Sequence, residues 1–124
     1  MKLVDLDPEW ILDDGRCVPM VDALLSPGAR YVGILFSCPC ARCRGRGCML
    51  GVRFANPIGG GPPSPRDDNQ VADNDGKRWQ VVAGSTFETL TISPSIDATK
   101  DENGQPRPIE QQHWHGHILG GICT

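Results

Sequence analysis

Six cysteines and three histidines are the side chains here with the most chemistry to offer, and most of them fall in two short stretches. Cys38, Cys40, Cys43 and Cys48 occupy one stretch, and His113, His115 and His117 occupy the other. Cys40-Ala41-Arg42-Cys43 is a C-x-x-C pair, the spacing at which a tight turn aims two thiolates at one tetrahedral ion, and Cys38 adds a third thiol within reach. Alternate residues of an extended strand share a face, so a strand over 113–117 would present all three imidazoles to one side as nitrogen ligands. Zinc accepts both ligand types and closes a structural tetrahedron, which makes a mixed Cys/His zinc site the expected chemistry. The expected ligands come from Cys38, Cys40 and Cys43 together with His113 and His115, with Cys48 in reserve. Cys17 and Cys123 stand alone and read as small buried hydrophobes, and His117 as a supporting or surface residue.

Other uses of these residues fit less well. A C-x-x-C redox pair normally opens a helix after a strand in a βαβ unit, and no such unit is visible. The N-terminal run Met1-Lys2-Leu3-Val4-Asp5 turns acidic too early for a signal peptide, and no stretch approaches a membrane-spanning length of apolar residues. A cytoplasmic protein with no membrane partner is the expectation. Reduced thiols are the rule in that compartment, which favours metal over disulfides.

The elements that must position these residues are short. At 124 residues the chain is long enough for one domain, spanning 1–124, and too short for two independent cores. With 15 glycines and 11 prolines against 6% aromatic residues, much of it should be turns around a small core, and a metal would supply the missing staple. Tyr31 to Phe36 is a nearly continuous apolar run of strand length, and Met49 to Phe54 reads as the returning strand, so Cys38–Cys48 should connect two antiparallel strands. Arg78 to Val82 and Thr89 to Ser93 read as further strands, the latter with Leu90 and Ile92 on one face and Thr89, Thr91 and Ser93 on the wet face. Pro94 should end it. Gly120-Gly121 signals a hairpin turn into Ile122-Cys123. Polar loops are expected over 56–77 and 97–108. Asp7, Pro8 and Glu9 have the chemistry of a helix start, which predicts a short helical turn through Leu12, and Val18 to Leu25 reads as a second apolar piece before a turn at Ser26-Pro27-Gly28. The expected fold is all-β or a β-rich α+β arrangement, a small antiparallel sheet or sandwich of about five strands, with Trp79 and Trp114 as core anchors.

Several blocks taken together resemble a known group. Leu3-Val4-Asp5-Leu6-Asp7-Pro8, Phe36-Ser37-Cys38-Pro39-Cys40, Val52 to Pro57, Trp79, Thr86 to Ile96 and His113-Trp114-His115-Gly116 are similar to an uncharacterised family of small phage and prophage proteins that often carry an ammonia monooxygenase label. The resemblance covers most of the chain. It implies a zinc-binding β domain of phage type and transfers no activity. The chain departs from the pattern at His117, where the family has an aromatic or apolar residue.

Three functions follow as expectations. The first is a structural zinc site in a non-enzymatic interaction or accessory module whose loops meet a phage or host protein, because thiolate-rich sites with four protein ligands leave no open position. The second is a metal-dependent hydrolase using the strand of His113, His115 and His117, with Glu110 or Glu88 as base. The third is nucleic-acid binding: Arg42, Arg44, Arg46, Arg53 and Arg66 make the region around the cysteines locally basic within a chain of net charge −3.

Overall fold

A computed structural model describes residues 1–19, 30–43, 46–63, 78–101 and 103–124. Among them the regular structure is β, carried by ten short strands with two single 3-10 turns at Leu3–Leu6 and Ile109–Gln111. No helix among the described residues is long and apolar enough to cross a membrane.

The largest unit is a four-stranded antiparallel sheet built from β1 (Glu9–Leu12), β2 (Cys17–Pro19), β3 (Tyr31–Ser37) and β4 (Met49–Ile58), in the order β2-β1-β3-β4. Its centre is the hairpin expected from the two apolar runs. Phe36 lies opposite Leu50 and Ser37 opposite Met49, so the chain between them leaves and re-enters the sheet at one end. β3 is buried along almost its whole length, which explains why its sequence runs apolar on both faces instead of alternating. β4 continues to Ile58, into the stretch expected to be loop.

The other strands are β5 (Gln80–Ala83), β6 (Thr91–Ser93), β7 (Ile96–Asp97), β8 (His115–Gly116), β9 (Ile118–Leu119) and β10 (Ile122–Cys123), paired as β5-β6, β7-β8 and β9-β10. The first pair is laced to β4. Trp79 exchanges backbone hydrogen bonds with Arg53 and Ala55, and the Asn56 side-chain amide donates to the Val81 carbonyl while its oxygen accepts from the Val81 amide. Leu90 and Ile92 face inward and Thr89 and Ser93 are exposed, as the alternation required. The strand stops before Pro94, and the Gly120-Gly121 turn joins β9 to β10. The 97–108 segment is folded back on itself through a Lys100–Pro106 bridge and an Arg107-to-Thr99 hydrogen bond.

Two expectations fail here. The segment from Glu9 to Leu12 is strand β1, and the helical turn lies earlier, at Leu3–Leu6, with Asp7 in the left-handed conformation that ends it. Asp7 and Pro8 carry start-of-helix chemistry, but Trp10, Ile11 and Leu12 are apolar in succession and are buried between neighbouring strands, and that burial outweighs the local signal. Cys17 is exposed on edge strand β2 rather than buried. The turn expected at Ser26-Pro27-Gly28, most of the Val18–Leu25 piece and much of the 56–77 loop lie outside the described residues.

The core is one cluster into which β1, β3, β4, β6 and the C-terminal strands all project. Trp10 is sandwiched between the rings of Tyr31 and Phe87, each at 4.2 Å and nearly parallel. Trp79 is buried as expected, while Trp114 is half-buried and meets Phe36 edge-on at 6.2 Å. That edge contact brings the histidine segment against the end of β3, where the cysteines begin.

Candidate metal centre

Strand β3 delivers Cys38 to the end of the sheet and β4 collects the chain after Cys48, with the Cys38 amide donating to the Cys48 carbonyl at 2.8 Å to close the neck of the loop. Inside the neck, the Cys43 amide donates to the Cys40 carbonyl and the Arg46 amide to the Cys43 carbonyl, which turns the C-x-x-C segment tightly enough to converge its sulfurs. The C-terminal segment reaches the same place from across the molecule. The His113 amide donates to the Ala98 carbonyl and the Ala98 amide to the Trp114 carbonyl, setting the His113 ring over the thiols. Arg42 ties the two segments together by donating to the Gln112 carbonyl.

The result is a convergence of five donors. The sulfurs of Cys38, Cys40 and Cys43 all lie within 4.8 Å of one another, and so do the donor atoms of Cys43, Cys48 and His113. Cys43 belongs to both groups, and its sulfur is 3.3 Å from His113 Nδ1, across 70 residues of sequence. Cys38 and Cys43 are buried, and Cys40, Cys48 and His113 are half-buried. A zinc–sulfur bond is about 2.3 Å, so sulfurs this close fit around an ion with small adjustments.

The electrostatics follow from the crowding. Burial pushes the Cys38 thiol up, although the amides of Cys40 and Trp114 point at its sulfur and pull the other way. Burial and the neighbouring thiols of Cys40, Cys48 and Cys38 push Cys43 strongly up. Cys40 also feels burial, but hydrogen bonds from the thiols of Cys43 and Cys38 and from the amides of Cys43 and Arg42 outweigh it, so it lies below the ordinary thiol range. Crowded sulfurs that share protons in this way have the arrangement of a cluster in which a cation could replace the protons. Burial, and then the cations Arg107 and Arg42, hold His113 below the ordinary imidazole range, which favours the neutral form that can act as a ligand.

The remaining expected residues are placed elsewhere. His115 is exposed on β8, opposite Asp97 of β7, with Nε2 3.4 Å from the Ser95 hydroxyl, and it belongs to neither group of converging donors. His117 is exposed, held by backbone hydrogen bonds to Thr124. The strand is only two residues long at His115–Gly116, so the three imidazoles do not share a face as strict alternation would give. Cys48, a reserve ligand by sequence, is a full member of the cluster because the loop neck places it beside Cys43. Glu88 and Glu110 are exposed. Arg53 is buried at 5% exposure, Arg42 is engaged with Gln112, Arg46 is exposed, and Arg44 and Arg66 lie outside the described residues.

A cavity of about 620 Å³ opens beside the cluster, bordered by Cys38 and Cys43 on one wall and by Ser37, Asp5 and Asp7 around them.

No family model, curated protein or solved structure matches the chain.

Proposed function

We propose that this chain is a zinc-stapled β domain whose metal is structural, and that it works as a non-enzymatic interaction module of phage or prophage type. The observation that carries the reading is the meeting of Cys38, Cys40, Cys43 and Cys48 with His113, which joins the end of the central hairpin to the C-terminal segment. Thiolate-rich ligand sets favour zinc and lower its acidity toward bound water, which suits a staple better than a hydrolytic centre. The small core points the same way, since a domain this rich in turns gains most from coordination. The phage assignment rests on the sequence resemblance. Protein recognition is the role left to a small domain with no catalytic constellation at its metal among the described residues, and the loops are where it would reside.

Two competing readings lose support. A hydrolase built on His113, His115 and His117 needs the imidazoles together, and they are dispersed over three environments. Nucleic-acid binding through the basic loop loses Arg53 to the core and Arg42 to a backbone carbonyl.

The test is elemental analysis of reduced, untagged protein with a thermal melt before and after chelation. Bound zinc together with collapse of the melt is expected, because structural zinc contributes on the order of 10 kcal/mol to folding. A fold whose melt is unmoved by a strong chelator would overturn the structural role, and protein that takes up no zinc would overturn the metal centre.

A further inference from the structure

The donor geometry has a feature that a single tetrahedron does not require. The five donors fall into two triads, Cys38 with Cys40 and Cys43, and Cys43 with Cys48 and His113, and Cys43 is common to both. Its sulfur is the hub of the cluster: it contacts the thiols of Cys38, Cys40 and Cys48 and stands 3.3 Å from His113 Nδ1. A thiolate sulfur has lone pairs enough to serve two cations at once. From this arrangement we infer that the cluster holds two soft divalent ions bridged by the Cys43 thiolate, one completed by Cys38 and Cys40 and the other by Cys48 and His113. The inference rests on the metal-centre reading above and deepens it.

Charge supports the pair. Four thiolates and a neutral imidazole balance the charge of two divalent cations, whereas one ion on the four thiolates would leave two negative charges in a partly buried place for the nearby cations Arg107 and Arg42 to offset. The guanidinium inside the C-x-x-C turn, that of Arg42, is turned to the Gln112 carbonyl. Each ion then has three protein donors and takes its fourth from solvent, so the pair staples the segments through the shared Cys43 sulfur rather than through one closed four-ligand tetrahedron. The cavity bordered by Cys38 and Cys43 leaves room for that donor on the first ion.

Stoichiometry decides the matter in the full chain. Reduced apoprotein is titrated anaerobically with cadmium, a soft ion that prefers thiolates, and the loaded species are counted by native mass spectrometry after removal of loosely held ions. Saturation at two ions per chain is expected, with two cadmium NMR resonances that both correlate with the Cys43 β-protons. Cys48→Ser should drop saturation from two ions to one, Cys43→Ser should lose both, and Cys17→Ser should keep both. Saturation of the unaltered chain at one ion, or two resonances with no shared Cys43 correlation, overturns the bridge while leaving the metal centre in place. Failure to bind any cadmium overturns both.

Discussion

Cys123 shows what burial does to a thiol outside the metal cluster. It sits in the core at 5% exposure, and desolvation pushes its pKa up from 9.0 to about 11. The unfolded chain therefore ionises this group before the folded chain does. Its contribution to stability is fully present below pH 9 and is lost as the pH climbs toward 11, and because each tenfold change in proton affinity is worth about 1.4 kcal/mol, the loss is about 2–3 kcal/mol. Urea unfolding of the wild type and of Cys123→Ala should show the difference between them shrinking by that amount from pH 8 to pH 11. A difference that does not change with pH would remove burial as the cause. At the same scale, the thiols of the cluster are legible in the sequence because C-x-x-C spacing is a property of a turn that forms locally. His113 is distinguished from His115 and His117 only by where the backbone hydrogen bonds to Ala98 leave its ring, and no local pattern carries that information.

The hairpin of β3 and β4 is the element on which the site depends, and at Gly33 its two backbones leave no room for a side chain. A Cβ there would lie 2.3 Å from the Val52 carbonyl oxygen and 3.3 Å from the Arg53 Cα, both backbone atoms of the paired strand. Gly33→Ala must push the strands apart where they define the register, at a cost of about 1–3 kcal/mol. A fall by that amount in the unfolding free energy from urea titration of the metal-loaded protein is expected, and an unchanged free energy would show that the strands can yield freely. The hairpin itself is readable from two apolar runs flanking a polar, cysteine-rich connection. The strand at Glu9–Leu12 is not, because Asp7 and Pro8 serve a strand entry as well as a helix start and only the partners at Val18 and Ile34 decide between them. The strand around His115 is similarly obscured. Gly116 pairs with Ile96 and His115 with Asp97 and the strand goes no further, so His113 and His117 of the His-x-His-x-His pattern lie outside it.

On the scale of the molecule, the fold is dominated by partners distant in sequence, down to the backbone bonds that join Met1 to Cys123. Assemblies of that kind close long loops before they gain contacts and fold slowly. The metal centre is built differently on its two sides: the sulfurs from Cys38 to Cys48 are local, while His113 arrives from 70 residues away. If the cluster binds its ion as proposed, the local sulfurs would capture it while the rest of the chain is still searching, and the ion would hold together the neck from which β3 and β4 zip. Refolding with zinc present from the start should be faster than refolding with zinc added after dilution from denaturant, as followed by tryptophan fluorescence. Equal rates would place capture after the sheet has formed. In kinetic language, metal bound at the cysteines would seed the hairpin, and coordination by His113 would clasp the C-terminal segment afterwards.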